Sequence, residues 1–520
     1  MKIKNLSLVL LLSVFIVITS VVILKRYESE TLVEAKWNEK EDTLLAITID
    51  GEDANAFPTT SNYKASVSCT NGTGEAVWNG SKWLFNVSAI NQAKAKCNID
   101  FIAPASWEKP GTGTLLAAIK RDNTVTTPTT TPGADASATD EAILASAEDD
   151  YGTSYYFRGA VENNYVEYAN MCWRIVRVTG DSSIKLVLYN YNGLTDSNNT
   201  PSSDTPCSET DSSFGFARFE GDTYKSKFNT SYGDNAYIGF MYGNVGCSDG
   251  TSTTQLMCTN AGGTWTASTS YTTAHANINP STLLTNLNKW YSNILSKQTA
   301  FKDSQLADTI WCNDKSVVTD STFNPGSMTL GTNYGYGTNT NYYSAAQRLS
   351  LSSSWSAGGN GPSLICPNDN SGGKLSKFTV SDTEYGNGSL SGYGKIGLLT
   401  ADEVAFAGGT QNKKNNSFYL RPNTSAGGLW TLTPQYFRFI TEEQIRAHVY
   451  PLYSAIGMFY DARTTLLIDL RGTLSLRPSL SLVSTTKISS GTGTATDPYK
   501  VAYWYLLNKA LMSYFFLCHI

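Results

Sequence analysis

The chain has 520 residues, which is too long for a single hydrophobic core, so we expect at least two domains. Only 16% of the residues are charged, while 42 glycines and 30 tyrosines favour a β-rich protein with uncharged polar loops. The net charge of −5, with no lysine- or arginine-rich run beyond the N-terminus, argues against nucleic acid as a partner, because phosphate binding needs a clustered basic surface.

Residues 1–26 carry the clearest targeting pattern of the chain. An uncharged run begins at Leu6, ends at Leu24 and has basic residues on both sides. A helix of this length, at about 1.5 Å per residue, spans the hydrocarbon core of a bilayer. A cleavable signal peptide has a shorter apolar run and a small-residue cleavage site, so the pattern favours an uncleaved signal-anchor, with cleavage as the alternative. We therefore predict a single-pass protein of the cell membrane with most of its chain extracellular.

Nine cysteines support export, since disulfides form in oxidising compartments. Cys69 and Cys97 are alone in their segment, which predicts that they pair with each other. Six further cysteines allow many pairings. Those that we favour are Cys247–Cys258, Cys312–Cys366 and Cys172–Cys207, with Cys518 left over. The chain has no Cys-x-x-Cys and no Cys/His cluster, so we predict no metal site of this kind and no cofactor.

The next segments predict a stalk, a small domain and a linker. Residues 27–43 are polar, and residues 44–103 contain five short apolar runs separated by turn residues, which is typical of a small β-sandwich. A disulfide would stabilise a core of this size. Residues 104–148 are rich in Thr, Pro and Ala, which favours an extended linker between two domains.

Residues 149–497 form the predicted large α+β domain, and its centre is a β-hairpin. Residues 171–178 and 184–190 are β-branched, apolar runs on either side of a Gly/Asp/Ser turn. Apolar residues on both faces predict burial on both sides. We expect Arg174 in this hairpin to be paired internally.

Further elements follow along the large domain. Pro280 at a first helical position, with an apolar stripe through Trp290 to Ile294, predicts a helix, and residues 301–311 predict a shorter one. A strand over residues 396–399 precedes a Thr400–Glu403 capping box. Alternation over residues 474–482 predicts a half-buried strand with a bend at Pro478. Residues 498–520 are an apolar tail, either a second span or unstructured.

Several stretches are similar to sequences of one known group of proteins. They are Tyr156-Phe-Arg-Gly-Ala160, Cys172-Trp-Arg-Ile-Val176, Ile184-Lys-Leu-Val187, Trp311-Cys-Asn-Asp314, Ile365-Cys-Pro-Asn368, Gly397-Leu-Leu-Thr-Ala-Asp-Glu-Val404 with Ala407-Gly-Gly409, Trp430-Thr-Leu-Thr-Pro434, Leu476-Arg-Pro478 and Asp497-Pro-Tyr499. Together they resemble a family of large secreted and surface proteins of gut-type bacteria, with a more distant likeness to formylglycine-generating-enzyme and C-type-lectin-like domains. The resemblance implies an irregular α+β domain with long loops, and it supplies no catalytic residues. Residues 437–465 depart from it, because residues 441–446 look helical.

The motifs of common enzymes are not found in the sequence. The three histidines accompany no Gly-x-Ser-x-Gly and no His-Glu-x-x-His pattern. Asp402 and Glu403 could act as a carboxylate pair, but helix capping is the favoured interpretation. Asp369, Ser371 and Gly373 offer oxygen ligands for calcium, although a solvated loop is favoured because no glutamate follows at the required spacing. We predict no catalytic and no metal-binding residues.

Polar loops rich in Tyr, Asn, Ser and Gly favour a binding function, because such loops combine rigid rings with adaptable hydrogen bonds. The candidate ligand-binding residues are Tyr191, Tyr242, Tyr334, Tyr336 and Trp355, with core packing as the alternative for each. The leading hypothesis is adhesion or binding of a glycan or protein ligand. The alternatives are an extracellular enzyme that acts on glycans or cell wall, and a structural envelope protein.

Overall fold

The computed structural model divides the chain into two compact units, residues 1–114 and residues 115–520. The residues that it describes are 43–49, 52–61, 63–70, 72–89, 95–102, 113–134, 136, 140–209, 215–319, 341–349, 361–369, 371–380, 394–409, 418–421, 428–439, 441, 445–453, 457–458 and 470–502. The predicted anchor, stalk and most of the apolar tail lie outside this part. Within it, no helix is both long enough and apolar enough to span a bilayer.

The elements of the chain are mostly strands, as predicted. The first unit contains β1 (Thr43–Ile49), β2 (Glu52–Asp53), β3 (Lys64–Thr70), β4 (Gly72–Trp78), β5 (Trp83–Ala89), β6 (Ala95–Ile102) and β7 (Gly113–Thr114). The strands of the second unit are β8 (Ala142–Asp149), β9 (Gly152–Gly159), β10 (Tyr165–Tyr168), β11 (Met171–Val178), β12 (Ile184–Asn190), β13 (Lys225–Lys227), β14 (Met241–Tyr242), β15 (Gly246–Cys247), β16 (Trp265–Thr266), β17 (Asn279–Pro280), β18 (Trp311–Cys312), β19 (Asn341–Tyr342), β20 (Lys377–Phe378), β21 (Gly428–Phe439), β22 (Ile445–Tyr453), β23 (Gly457–Met458), β24 (Thr473–Ser475), β25 (Ser479–Leu482), β26 (Lys487–Ser490) and β27 (Tyr499–Val501). Its helices are α1 (Leu115–Asp122), α2 (Gln255–Asn260), α3 (Tyr271–His275), α4 (Thr282–Asn293), α5 (Ser344–Arg348) and α6 (Ala401–Phe406), with 3-10 turns at Asn235–Ile238, Leu295–Lys297 and Asp303–Gln305.

The first unit consists of a four-stranded sheet in the order β2-β1-β6-β3 and a β4-β5 hairpin. β1 and β6 are parallel, while β3 and β6 are antiparallel and place Cys69 directly opposite Cys97. Trp83 of the hairpin packs with Ile99 and Phe101 of the sheet, so both sheets contribute to one small core. The strands cover the five apolar runs of residues 44–103 that the sequence predicts.

The prediction of an extended linker over residues 104–148 is wrong for two parts of it, which form α1 (residues 115–122) and most of β8 (residues 142–149). Leu115, Ala118 and Ile119 of α1 are fully buried in the core of the second unit. Further on, β8 pairs with β9 along all eight of its residues. The Thr/Pro-rich composition conceals a helical apolar stripe and an alternating strand, and both bury enough apolar surface to fold. The large unit therefore begins at Leu115 rather than at residue 149.

The central sheet of the second unit is built around the predicted hairpin. Its strands run in the order β25-β12-β11-β10-β27-β26, and β9 joins the far end of β11 with β8 beside it. All eight residues of β11 are buried, as the two-sided apolar pattern predicts. A register shift between Ile175 and Arg177 marks a β-bulge in this strand. The hairpin is thus confirmed as the scaffold of the unit.

A second sheet contains β13-β24-β21-β22-β23, with β19 beside β21. The segment that looks helical in the sequence leads into β22, and this strand pairs with β21 over most of its length. Residues 442–444, in the connection between the two strands, lie outside the described part. Residues 445 and 446, the described end of that segment, pair with β21, which is apolar and buried along most of its length.

Most helix predictions hold, and one fails. α4 begins two residues later than predicted, at Thr282, because Ser281 caps it and Pro280 lies in β17. The Thr400–Glu403 capping box is confirmed. Gly408, with a φ of +110°, follows the last turn of α6 in the left-handed region that favours glycine.

The predicted helix over residues 301–311 is only a 3-10 turn, Asp303–Gln305, followed by extended chain. This segment bonds to the chain around β25 instead of to itself. The amide of Ala307 donates to the carbonyl of Ser481, and the amide of Val483 donates to the carbonyl of Gln305.

Two strand predictions are corrected. Residues 396–399 form no strand and meet Ser479 of β25 through a single bridge at Gly397. Residues 474–482 are buried rather than half-buried, and the predicted strand is interrupted before Ser479, so that it forms the two strands β24 and β25. Three of the alternating polar residues, Arg477, Ser479 and Ser481, have hydrogen-bond partners, and the hydroxyl of Ser479 donates to the carbonyl of Leu186.

All four predicted disulfides are present: Cys69–Cys97, Cys172–Cys207, Cys247–Cys258 and Cys312–Cys366. Three of them lie in the second unit. Cys172–Cys207 joins the central hairpin to the chain that follows it, and Cys247–Cys258 joins β15 to α2. Cys312–Cys366 joins β18 to the segment of residues 361–369.

Candidate functional site

A buried network of charges lies where the central hairpin meets α6. Arg177 of β11 and Lys185 of β12 point toward Glu403, the third residue of α6. The capping box fixes Glu403, because its carboxylate accepts the amide of Thr400 while its own amide donates to the Thr400 hydroxyl. The local helix start therefore places a carboxylate at the end of two buried cationic side chains.

Charge-assisted hydrogen bonds connect these groups. Nζ of Lys185 lies 2.6 Å and 2.8 Å from the two carboxylate oxygens of Glu403. Nε of Arg177 lies 3.0 Å from Oε1 of Glu403, and its Nη1 lies 2.5 Å from Oδ2 of Asp149. The Lys185 ammonium also lies 4.8 Å from the ring centre of Trp311. Each buried cation thus has a carboxylate partner, which offsets the cost of its burial.

A second cluster is centred on Arg348 of α5. Its guanidinium binds Asp402 through two bonds of 2.8 Å, and Nη1 lies 3.0 Å from Oδ2 of Asp314. Asp402 also accepts the amide of Ser363 at 2.9 Å. The planar guanidinium matches a carboxylate in this two-bond geometry, which fixes the orientation of both side chains. Adjacent residues of α6 therefore belong to two different ion clusters.

The segment of residues 361–369 covers these clusters from one side. Its Cys366 amide donates to Oδ2 of Asp150 at 3.0 Å, and Oδ1 of Asp150 accepts Lys377 Nζ at 2.9 Å. Cys366 is also joined to Cys312 through the disulfide. One covalent bond and several hydrogen bonds thus hold this segment in place.

Between the segment and the clusters lies a small cleft, whose enclosed part has room for about one water molecule. Its floor is charged and formed by both clusters, while Ile310, Leu364, Ile365 and Pro367 line it with apolar surface. Of these four residues Ile365 is the most exposed, at 47%. Apolar walls around a few fixed polar groups are typical of ligand-binding recesses.

Burial and ion pairing shift the pKa values of these groups. Burial alone would raise the pKa of Glu403, but Lys185 and Arg177 outweigh it and hold that pKa below its usual range. Burial lowers the pKa of Lys185 to about 8, with Glu403 opposing and Arg177 reinforcing this shift. Burial raises the pKa of Asp314, although Arg348 opposes it. At neutral pH the Lys185–Glu403 pair is therefore ionised on both sides.

This arrangement favours a structural role for Asp402 and Glu403 over acid–base catalysis. Each carboxylate is held by a cation at hydrogen-bonding distance, and Glu403 also closes the capping box. A general acid needs a pKa near the working pH, and close cations move a carboxylate in the opposite direction. Within the described residues, no group of three or more His, Cys, Asp or Glu is arranged to hold a metal ion.

The loop considered for calcium is organised by its own aspartate. The carboxylate of Asp369 accepts four backbone amides, from Ser371, Gly373, Leu375 and Ser376, at 2.8–3.0 Å. These bonds use the oxygen lone pairs that a cation would need. The structure thus gives Asp369 the role of a loop-forming residue.

Two of the five predicted ligand-binding residues, Tyr191 and Tyr242, lie in the described part of the chain. Tyr191 is 8% exposed, and the Arg218 guanidinium lies 4.4 Å from its ring centre. Tyr242 is half-buried, with its ring edge-to-face against Tyr237 at 4.9 Å. Tyr334, Tyr336 and Trp355 lie outside the described residues. Ligand binding by these five residues stays a prediction.

Sequence reasoning did not identify the charge network, although one pattern in the hairpin points to it. Arg177 and Lys185 interrupt two runs that are otherwise apolar on both faces. Charged residues in a strand that is buried on both sides need partners, because an unpaired buried charge is costly. Arg174 satisfies the same rule with neutral partners, Oδ1 of Asn164 at 2.5 Å and the Val161 carbonyl at 2.6 Å, which confirms its predicted internal pairing.

No protein-family model, curated protein or solved structure matches this chain. The resemblance to gut-type bacterial surface proteins stays a hypothesis that the motifs of the sequence support.

Proposed function

We propose that this chain is a membrane-tethered, extracellular bacterial surface protein whose large unit binds a glycan or protein ligand at the cleft beside Ile365. In this proposal residues 1–26 are the tether, the first unit is a spacer, and the second unit is an irregular α+β domain of the C-type-lectin-like kind. The observation that carries it is the cleft, with the exposed residue Ile365 beside a rigid, internally paired charged floor.

The export part of the proposal is supported by the cysteines. Eight of them are joined in four disulfides, which persist only where thiols are not kept reduced. The tether is supported by the uncharged run of residues 6–24. If residues 1–26 form an anchor, the full chain stays in the membrane fraction after alkaline extraction. Recovery of a shorter chain in the soluble fraction would instead indicate cleavage.

The binding part is supported by the way the charged groups are used. Because the cations of the floor already hold carboxylates, the floor is rigid and offers fixed dipoles rather than a reactive group. The exposed apolar surface of Ile365 supplies a favourable contribution to the binding free energy, since apolar surface gains about 25 cal/mol for each Å² removed from water.

The experiment is a glycan and protein array probed with the full chain in detergent. Ile365→Ser should weaken binding by at least tenfold, because it places a polar group on the wall of the cleft. Leu256→Ser is the matched control, since Leu256 on α2 is similarly exposed, at 43%, and does not line the cleft. Equal loss in both variants, or unchanged binding in Ile365→Ser, would contradict the proposed site. Release of a cleaved product would favour the enzyme alternative.

A further inference from the structure

Lys315 is a buried lysine that does not line the cleft, although its neighbour Asp314 does. It follows β18 and is fully buried, although it carries an amino group at the end of a long side chain. Gly239 makes room for this side chain, because a Cβ added at Gly239 would come 3.1 Å from Cε of Lys315 and 2.3 Å from the carbonyl oxygen of Met241. The backbone amide of Lys315 is fixed by the hydroxyl of Ser376 at 2.8 Å.

The amino group of Lys315 is in contact with neutral groups. Nζ lies 2.8 Å from the carbonyl oxygen of His275 and 2.8 Å from Oδ1 of Asn277. Among the residues that the structure describes, no carboxylate forms an ion pair with it. Burial lowers the pKa of Lys315 to about 7, and the charge of Asp369 opposes this shift only in part. A neutral amine, which is the nucleophilic form of lysine, is therefore well populated at neutral pH.

The side-chain amide of Asn277 faces this amine in a defined orientation. Its Nδ2 lies 3.5 Å from the carbonyl oxygen of Lys374 and 3.4 Å from that of Lys377, so the nitrogen end of the amide is directed toward acceptors. Oδ1 is consequently the end that faces Nζ. The amide carbon is one bond behind Oδ1, and both groups are held on well-packed chain segments. Such fixed proximity replaces the entropy that two free reactants would lose.

Three buried aromatic rings lie beside the pair. Tyr271 packs edge-to-face on His275 at 4.9 Å, and the His275 ring packs on Tyr343 at 5.9 Å. The Tyr271 hydroxyl donates to the backbone carbonyl of Lys315 at 3.0 Å. All three rings are buried, and Lys315 and Asn277 are themselves only 0% and 7% exposed to water. A site from which water is excluded protects an amide-forming step from competing hydrolysis.

We propose that Lys315 and Asn277 form an intramolecular amide bond between their side chains. The lone pair of Nζ attacks the side-chain carbon of Asn277, and the electrons of the C=O bond move to Oδ1. A proton passes from Nζ to Nδ2, the bond between the carbon and Nδ2 breaks, and ammonia leaves. The products are one amide and one ammonia, and the reaction needs no oxidant, reductant or other reactant.

The bond would link two segments that are 38 residues apart in sequence. It would join the chain after α3 to the chain after β18, where the Cys312–Cys366 disulfide already fastens the segment beside the cleft. An amide bond resists reduction, so this connection persists in conditions that open disulfides. The proposal goes beyond ligand binding and does not depend on which ligand the cleft accepts.

The experiment is mass spectrometry of the full chain after reduction and alkylation, followed by tryptic peptide mapping. The cross-link predicts an intact mass that is lower, by one ammonia, than the mass calculated for the reduced and alkylated sequence. It also predicts a branched peptide that joins the segment of Asn277 to that of Lys315, with no tryptic cleavage after Lys315. Full recovery of the linear peptide that ends at Lys315, together with an intact mass equal to that calculated for the reduced and alkylated sequence, overturns the proposal.

Two variants provide the comparison. Lys315→Arg keeps a basic side chain but lacks the reactive amine. Its intact mass should therefore equal the mass calculated for the variant sequence, and trypsin should release both linear peptides. Lys225→Arg, on the exposed face of β13, is the matched control and should keep the cross-link. Because the wild-type chain alone decides the question, poor folding of Lys315→Arg does not obscure the result. A mass deficit that persists in Lys315→Arg also overturns the assignment.

Discussion

Lys185 and Lys315 are both buried lysines of the second unit, but their surroundings differ in kind. Lys185 is held by the Glu403 carboxylate through two short bonds, whereas Lys315 contacts a backbone carbonyl and a side-chain amide. A carboxylate partner keeps an amine charged and unreactive, while neutral partners in a dry site favour the free amine. The same residue type can therefore serve as a structural cation in one place and as a nucleophile in another.

The largest expected effect comes from removing the carboxylate at the Lys185 site. Glu403→Gln leaves Arg177 and Lys185 without this partner and should lower the free energy of unfolding by about 3–5 kcal/mol, the usual cost of breaking a buried ion pair. Chemical denaturation followed by tryptophan fluorescence measures it. Glu220→Gln is the control, because Glu220 is exposed and its contact with Lys289 is 3.6 Å long. Equal stability of the two variants would show that the Lys185 site is not a structural ion pair.

Acidification should remove the same stabilisation gradually. The pKa of Glu403 lies below its ordinary value of 4.5 in the folded protein, so as pH falls the unfolded chain takes up this proton first. The stabilisation is complete above the unfolded pKa and is lost as pH falls through the folded pKa. The difference in unfolding free energy between wild type and Glu403→Gln should therefore narrow below pH 4.5. A constant difference across the acidic range would contradict the ionised state of Glu403.

Arg174 is another buried cation, and it tests how much a cation with neutral partners contributes to stability compared with one that has a carboxylate partner. Its partners are neutral, and its guanidinium lies 3.7 Å from the ring centre of Tyr165. Arg174→Ala leaves buried acceptors on Asn164 and Val161, at about 1–3 kcal/mol for each unsatisfied group. The yield of folded protein should fall, while binding per folded molecule stays unchanged. The reverse result would make Arg174 a binding residue rather than part of the scaffold.

The smallest effect is expected at the edge of the Lys315 site. Tyr271→Phe removes the hydroxyl that donates to the Lys315 carbonyl and should cost about 1 kcal/mol, the typical net value of one hydrogen bond. Tyr151→Phe is a suitable control, because the Tyr151 hydroxyl also bonds to backbone, at Ile310, but its residue is exposed. Thermal unfolding measures both variants. A larger loss for Tyr151→Phe would indicate that the Lys315 site is less tightly packed than the structure implies.

Local patterns in the sequence predicted much of the second unit. The two-sided apolar runs of the central hairpin, the capping box at Thr400 and the stripe of α4 all follow from interactions within a few residues. Prediction failed where a segment is paired with a distant one. Residues 301–311 look helical but bond to the chain around β25, and α1 was hidden in a segment whose overall composition is typical of linkers.

By itself the sequence determined the strand-rich architecture and the capping box at Thr400, because these depend on residue periodicity and capping chemistry. It indicated a disulfide framework, but six of the cysteines allow many pairings, and the structure decides among them. Only the tertiary structure decided which buried polar groups meet. Glu403 and Lys185 are 218 residues apart, and nothing in the local pattern of either residue identifies the other. Periodicity reports whether a side chain is buried, whereas the identity of its partner depends on how distant segments pack. The same physical reason separates the ion-paired Lys185 from the amide-facing Lys315.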